Sequence, residues 1–349
     1  MGLDYGPLQT LLDDPSVTEV MVNSWDRIFA EQKGLITEVP FRFVDDRQYR
    51  EMIHQLVFQL HSSSEQTNIR YDGVLPSGYR YNITLPPMSP QGPTLTIRKF
   101  SNKIFNLNEL AQEGCLSDKA AQFLDAAVKA RASIVVSGGT GTGKTTILNS
   151  LANCIPAKQR IVTIEDVPEL KIPLRNWISL VTVEKPTSIT ARDCLINALR
   201  MRPDRIIVGE CRKDETFEML QAMNTGHDGS MTTIHANSAS DALSRMESLI
   251  MYSKFEIPMK VLRYQMSEAI DLIIQLRRLA DGRREVSEIV ELTGMEIDVI
   301  TRGVIFARDK NGVLSPTGYV PEVLKKIRQA QIPLADAVFD PGVIQKARA

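Results

Sequence analysis

The chain is poor in the features that would tie it to a membrane, a metal or a nucleic acid. No apolar run approaches the roughly 18 residues that a bilayer span requires, and the first residues carry neither the basic nor the apolar region of a signal peptide. Gly2 is followed by Gly6 where a myristoylation signal has Ser or Thr. Cys115, Cys154, Cys194 and Cys211 stand singly, with no C-x-x-C pair, so a zinc module or redox couple is set aside and small buried hydrophobes are expected. A formal net charge of −1 supplies no overall attraction to nucleic acid. Internal repeats, heptad runs and low-complexity tracts are also missing. The expectation is a cytoplasmic protein with no direct membrane span, no nucleic-acid partner, and access to a membrane only through partner proteins.

What is present is enough material for two domains. The 349 residues are 43% apolar and 24% charged, ordinary values for globular protein. One stretch, Ser-Gly-Gly-Thr-Gly-Thr-Gly-Lys-Thr-Thr, organises the rest. It follows the apolar run Ile134-Val135-Val136, read as a buried strand, and precedes residues 147–152, read as a helix halted before Pro156. Gly138-x4-Gly143-Lys144-Thr145 fits the phosphate-loop spacing G-x-x-x-x-G-K-[ST] without a mismatch. A polyphosphate must be met at close range by several inward-pointing backbone N–H groups, and glycines allow the positive-φ turns this demands. The following helix aims its positive end at the same anion. Candidate binding residues are therefore Gly138, Gly139, Thr140, Gly141, Thr142, Gly143, Lys144, Thr145 and Thr146, with Lys144 reaching the terminal phosphates and Thr145 offering its hydroxyl to Mg2+. ATP with Mg2+ is the expected ligand.

Residues 1–101 read as a smaller α+β domain: strands at 17–22 and 27–32, a helix at 46–60 with Met52, Ile53, Leu56, Val57 and Leu60 on one face, a hairpin turning at Pro76-Ser77-Gly78, and a strand at 94–98. Residues 102–115 read as a linker. From 116 to 349, strands and helices alternate in the βαβ manner, with strands at 133–136, 160–164, 204–208, 230–234 and 271–276. Thr190-Ala191-Arg192-Asp193 is a capping box opening one of the intervening helices. Alternation of this kind makes an α/β domain with a mostly parallel sheet and a ligand at the strands' C-terminal ends.

Three further constellations fall at those ends. Glu165-Asp166 closes the second strand, Glu210 follows Ile206-Ile207-Val208-Gly209, and His227 and His235 bracket the fourth. A carboxylate beside a bound triphosphate orients or deprotonates water, or anchors the waters around Mg2+. Glu210 is the first candidate for that work and Glu165 the second. Two histidines fall short of a metal site without a third ligand; His235 is instead a candidate donor to a γ-phosphate.

Taken together, the phosphate loop, Thr163-Ile164-Glu165-Asp166, the atypical Walker B sequence 206–210 and the histidine-bearing segment 226–237 resemble the type II/type IV secretion ATPase superfamily. Residues 199–210 and 219–231, together with 82–87, 93–100 and 293–296, are most similar to its CpaF branch, the ATPases of tight-adherence (Tad) pili. The resemblance implies a RecA-like P-loop domain preceded by a PAS-like α+β domain, and a homo-hexameric ring with nucleotide held between domains. It further implies that arginines from the first domain, Arg98 and Arg80, approach the γ-phosphate. Hydrolysis would then move an inner-membrane platform protein that adds or removes pilin, in pilus assembly or retraction. The four-cysteine zinc module of many type II branches is missing, and the His227-to-His235 spacing resembles conjugation-type secretion ATPases. Gly209 stands where a generic Walker B has Asp. A conjugation-type traffic ATPase, a phosphoryl transferase without an evident lid, and a nucleotide-dependent scaffold with little turnover are the alternatives.

Overall fold

Two patterns of apolar residues divide the chain. The described residues are 3–61, 68–99, 105–183, 188–253 and 256–342 of a computed structural model. They fall into two units, residues 1–103 with 280–283, and residues 104–279 with 284–349.

In the first unit, helix α1 (Gln9–Asp13) leads to strands β1 (Val17–Ser24), β2 (Arg27–Gln32) and β3 (Leu35–Glu38), helix α2 (Asp46–Leu60), and strands β4 (Arg70–Val74), β5 (Arg80–Thr84) and β6 (Thr94–Arg98). The strands form one sheet in the order β3-β2-β1-β6-β5-β4, every pair antiparallel. Burial alternates along β5 and β6, as a sheet with one covered face requires. Asp45 caps α2 by accepting a hydrogen bond from the Gln48 N–H at 2.8 Å. The stripe Tyr49, Met52, Ile53, Leu56 and Val57 is buried in one cluster with Val20, Ile28, Ile83, Leu95 and Ile97. Each such side chain contributes about 1.5–3 kcal/mol on burial. The short edge strand β3 had no alternation to reveal it; all four of its residues are exposed.

The second unit contains α3 (Leu107–Gln112), α4 (Asp118–Lys129), β7 (Ile134–Gly138), α5 (Lys144–Ala152), β8 (Ile161–Glu165), β9 (Trp177–Val181), α6 (Ala191–Ala198), β10 (Arg205–Val208), α7 (Glu215–Asn224) and β11 (Met231–Ile234). It continues through α8 (Ala239–Met251), α9 (Met259–Ala269), β12 (Leu272–Arg278), β13 (Arg284–Glu296), β14 (Val299–Arg308), β15 (Leu314–Pro316) and α10 (Val323–Gln329). Of the stretch expected as a linker, residues 102–104 lie outside the described residues and the remainder differs from expectation. Asn106 and Glu109 form a reciprocal capping box that opens α3, and Leu107, Leu110 and Cys115 are buried in this unit's core.

The nine-stranded sheet has the order β15-β14-β13-β12-β7-β11-β10-β8-β9. From β12 to β9 all neighbours are parallel. From β12 to β15 they are antiparallel. The sequence had pointed to the parallel strands except β9, and not to the antiparallel extension. Successive residues of β7 enter different cores: Ile134 and Val136 join α4 and α5, while Val135 joins residues of α7 and α8. Parallel strands covered on both faces are apolar throughout, and β7, β8, β10 and β11 are entirely buried. Among the described residues, no helix is long and apolar enough to cross a membrane, and no group of three His, Cys, Asp or Glu is placed to hold a metal ion.

Candidate nucleotide site

Sheet register aligns the ends of four strands along one edge. Ile164 lies beside Val208, Val208 beside Thr232, Ile234 beside Ser137, and Gly138 beside Leu276. The chain leaves β7 at Gly138 and returns as β8, three strands away, with β11 and β10 filled in later between them. That reversal opens a crevice at the C-terminal edge, the place where open α/β sheets hold ligands.

The loop between β7 and α5 is built as its sequence demands. Gly141 and Gly143 have φ of +68° and +93°, and Gly143 is the left-handed N-cap of α5. At Gly138 a Cβ would stand 2.5 Å from Thr142 Oγ1 and 3.1 Å from Leu276 Cβ, so no side chain fits. Thr142 Oγ1 donates to the Gly139 carbonyl at 2.9 Å, and Lys144 Nζ donates to the Gly138 and Gly139 carbonyls at 3.0 Å each. The ammonium is thus folded over the loop. Thr145 and Thr146 follow it in the first turn of α5.

Glu165 is buried at the end of β8. Its Oε1 accepts hydrogen bonds from the backbone N–H of Glu169 at 2.9 Å and Leu170 at 3.0 Å, while Oε2 is buried without a hydrogen bond among the described residues. Burial pushes its carboxyl up to about 7, against the opposing pull of those two N–H donors. The same side chain explains Gly209. A Cβ at that position would lie 3.1 Å from Glu165 Cγ, so the space a Walker B aspartate would enter belongs to the neighbouring glutamate. Gly209 is pinned further by its N–H to the Ile164 carbonyl at 2.8 Å and by Thr233 Oγ1 donating to its carbonyl at 2.7 Å.

Glu210 emerges beyond this constriction. Arg212 donates to its Oε2 from Nη2 at 2.5 Å and from Nε at 2.9 Å, and reaches Asp166 Oδ2 from Nη1 at 3.0 Å. One guanidinium therefore joins the carboxylates at the ends of β8 and β10. Glu215 Oε1 accepts from the backbone N–H groups of Arg212 and Lys213, which holds the bend between β10 and α7. Neither Arg212 nor Glu215 was singled out from sequence. The signal was available in Gly-Glu-Cys-Arg-Lys-Asp-Glu, where charged residues crowd a strand end.

The histidines part company. His235 immediately follows β11 and is exposed at the site's edge. His227 precedes β11 and lies at the opposite edge of the sheet, a strand of four residues, roughly 13 Å, away. There its carbonyl accepts from Ser230 Oγ at 2.7 Å, and its buried Nδ1 has no hydrogen bond among the described residues. The pairing of the two histidines in sequence does not become a pairing at this site within the chain. Arg80 and Arg98 belong to the first unit, where they face each other directly across β5 and β6, with Glu19 of β1 in register on the other side of Arg98. The cysteines are free, and desolvation pushes the Cys211 and Cys154 thiols up to about 12 and that of Cys115 to about 11.

Residues 2–299 match the family described as type II/IV secretion system protein. The conjugal transfer protein TrbB of Rhizobium radiobacter is 34% identical over 287 residues, 81% of this chain and 86% of that protein. The type IV secretion system protein VirB11 of Bartonella quintana is 30% identical over 328 residues, spanning 81% and 90%. Among solved structures, the Yersinia pseudotuberculosis ATPase DotB superposes with a TM-score of 0.60 at 21% identity, over 83% of this chain and 79% of that one. The pilus retraction motor PilT with bound ADP superposes with a TM-score of 0.59 at 20% identity, over 93% and 85%. These two likenesses show the fold, a P-loop ATPase architecture around a mixed α/β sheet. With a family model covering most of its length and relatives above 30% identity, the chain belongs to the type II/IV secretion system protein family.

Proposed function

We propose that the chain is the motor ATPase of a secretion or pilus machine. The observation that carries this reading is the convergence of the phosphate loop, Glu165, Glu210 and His235 on one edge of adjacent parallel strands, in a chain of this family. Lys144 and the loop N–H groups hold the phosphates of ATP, and the hydroxyl of Thr145 is placed for Mg2+ in the first turn of α5. The donor set suits that ion, which takes phosphate oxygens and water besides one or two protein oxygens. When bound, the ion would supply charge neutralisation to the phosphates. Glu210 orients the attacking water. Glu165, held near neutrality in its charge balance, takes or returns a proton at Oε2. His235 senses the γ-phosphate and passes its presence to α8.

Arg98, and with it Arg80, completes the site from the first unit, a PAS-like α+β domain in this reading, and a homo-hexamer brings the parts into catalytic register. The ring works on an inner-membrane platform protein. The segments 199–210 and 219–231 favour a Tad-type pilus as its product. The conjugal-transfer and type IV secretion relatives support a second reading, a conjugation-type traffic ATPase.

The test is ATPase rate per subunit against protein concentration, with light scattering, for the wild type, Lys144→Ala and Arg98→Ala. Activity that rises with ring formation and is lost in both variants supports the motor. A dilute monomer that is fully active, or an Arg98→Ala variant at wild-type rate, overturns it. Deleting the gene and scoring surface pili against conjugal transfer separates the two readings.

A further inference from the structure

The bend from β10 into α7 sets one cation among the acidic groups of the site, and its backbone is fixed independently of its side chain. Cys211 donates its N–H to the Thr233 carbonyl at 2.9 Å. The buried Glu215 carboxylate accepts the next two N–H groups, from Arg212 at 2.5 Å and Lys213 at 2.8 Å. From this anchored position the Arg212 guanidinium folds back two residues to Glu210 Oε2, with Nη2 at 2.5 Å and Nε at 2.9 Å. Its other arm, Nη1, reaches Asp166 Oδ2 at 3.0 Å, just past the end of β8. Asp166 is held in turn, because Thr182 Oγ1 donates to its Oδ1 at 3.0 Å and the Thr182 N–H donates to the Glu165 carbonyl at 3.0 Å. Glu210, Arg212, Asp166 and Thr182 thus form a chain of contacts across the ends of β10, β8 and β9, three neighbouring strands.

Stability does not account for this chain of contacts, since half-exposed ion pairs contribute little to it. Orientation does. A glutamate at a strand end has several rotamers open to it, and holding one of them costs side-chain entropy. Both contacts to Glu210 fall on Oε2, so the fork removes that freedom at one oxygen. Oε1 accepts no hydrogen bond among the described residues and is the acceptor left for a water. All three guanidinium nitrogens of Arg212 are committed to carboxylates, which sets Arg212 apart from a direct phosphate ligand. A planar fork meets two carboxylates in fixed geometry, whereas the point charge of a lysine on its flexible stem does not.

Resting on the reading of Glu210 as the residue that orients the attacking water, we propose that Arg212 is a positioning residue for that reaction. It holds Glu210 by Oε2 in one orientation and fixes it relative to the end of β8 through Asp166, so that Oε1 serves the water. Asp166 holds the guanidinium from its far side, and Thr182 holds Asp166. The order of importance follows the order of contact, with Arg212 first, Asp166 second and Thr182 last. None of the three is assigned a contact with nucleotide, so affinity rests on the loop between β7 and α5 while turnover depends on this chain.

The experiment is steady-state and single-turnover ATP hydrolysis, with titration of a fluorescent ATP analogue beside it, on the full chain. The proteins are the wild type, Arg212→Gln, Arg212→Lys, Asp166→Asn, Glu210→Gln, the Arg212→Gln/Glu210→Gln double variant and Lys144→Ala. Misplacing a reacting group by about 1 Å costs up to about 100-fold, so Arg212→Gln is expected to lose about 30- to 100-fold in kcat and Asp166→Asn about three- to tenfold. KM and nucleotide affinity should stay within twofold of wild type in both. Arg212→Lys restores charge without the fork and is expected between wild type and Arg212→Gln. In the Glu210→Gln background the loss from Arg212→Gln should disappear, because the group it positions is gone. An Arg212→Gln rate at or above wild type, a loss that falls on affinity, or a loss that persists in full in the Glu210→Gln background overturns the assignment. Should Arg212→Gln fail to give a wild-type circular dichroism spectrum, Arg212→Lys and Asp166→Asn decide: wild-type kcat in both overturns it. Glu210→Gln at wild-type rate breaks the reading of Glu210 and this inference with it; rates that depend on Glu210 and Lys144 but not on Arg212 break only this inference.

Discussion

Each of the two units carries a pair of arginines facing each other across antiparallel strands, Arg80 with Arg98 in the first and Arg278 with Arg284 in the second. The pairs sit in different settings. Arg98 is exposed at the end of a sheet whose strands alternate in burial, with Glu19 as its other cross-strand neighbour. Arg278 and Arg284 are half-buried beside a glycine loop and the start of a helix. Arg80, by contrast with its cross-strand partner Arg98, is half-buried, as Arg278 and Arg284 are. In the proposed motor Arg98, and with it Arg80, approaches the γ-phosphate.

The largest effect expected from breaking this comparison belongs to Arg98, the exposed member of the first pair. Arg98→Ala should lower kcat by about 10^3- to 10^5-fold, the range of an arginine finger, with ADP affinity kept, as checked by assembled-ring kinetics beside nucleotide titration. If ADP affinity falls with kcat, Arg98 holds nucleotide rather than acting on turnover alone. On the second unit's acidic side, Glu210→Gln should cut turnover about 10^2- to 10^4-fold while ATP still binds, measured by single-turnover hydrolysis against a binding curve. A variant that turns over normally would favour a scaffold.

Glu165 gives the second unit's acidic side a pH signature. Its folded-state value of about 7 lies above the ordinary 4.5 because burial disfavours the carboxylate. The folded state therefore binds more protons than the unfolded state between those values. The resulting stability is fully present below about pH 4.5 and is lost as pH rises through 7, amounting to roughly 3 kcal/mol over the window. Glu165→Gln should melt higher than wild type at pH 8, and that advantage should vanish near pH 5. Parallel melting curves for the two proteins at both pH values would place the ionisation elsewhere. The smallest effect is expected at Gly209→Ala. Its Cβ meets Glu165 Cγ at 3.1 Å, so overpacking should cost about 1–3 kcal/mol in chemical denaturation, and the double variant with Glu165→Ala should recover most of it. Additive losses would show that the two residues do not share that space.

The sequence alone determined whatever depends on neighbours along the chain. The strand, loop and helix of the phosphate site span residues 134–152, and each demand on them is met locally: glycine where φ is positive, lysine next to the helix start, an apolar run before it. The apolar stripe of α2, the Thr190 capping box and the tight turn at Gly78 were legible for the same reason. The placement of acidic residues at strand ends was legible too, because βαβ order brings successive strand ends to one edge.

Tertiary structure alone decided what depends on which strand lies beside which. The burial of Glu165, and the exclusion of a side chain at Gly209, arise from contact between strands joined through α6, and no periodicity within either strand announces it. Two arginine doublets around Asp281-Gly282 look in sequence like a solvated hairpin. Their nearness to residues 138–144 exists because β12 pairs in parallel with β7 across more than 130 positions of intervening chain. Hydrogen-bonded register between distant strands is set by packing of both sheet faces at once, and so only the folded chain shows which charges meet the loop.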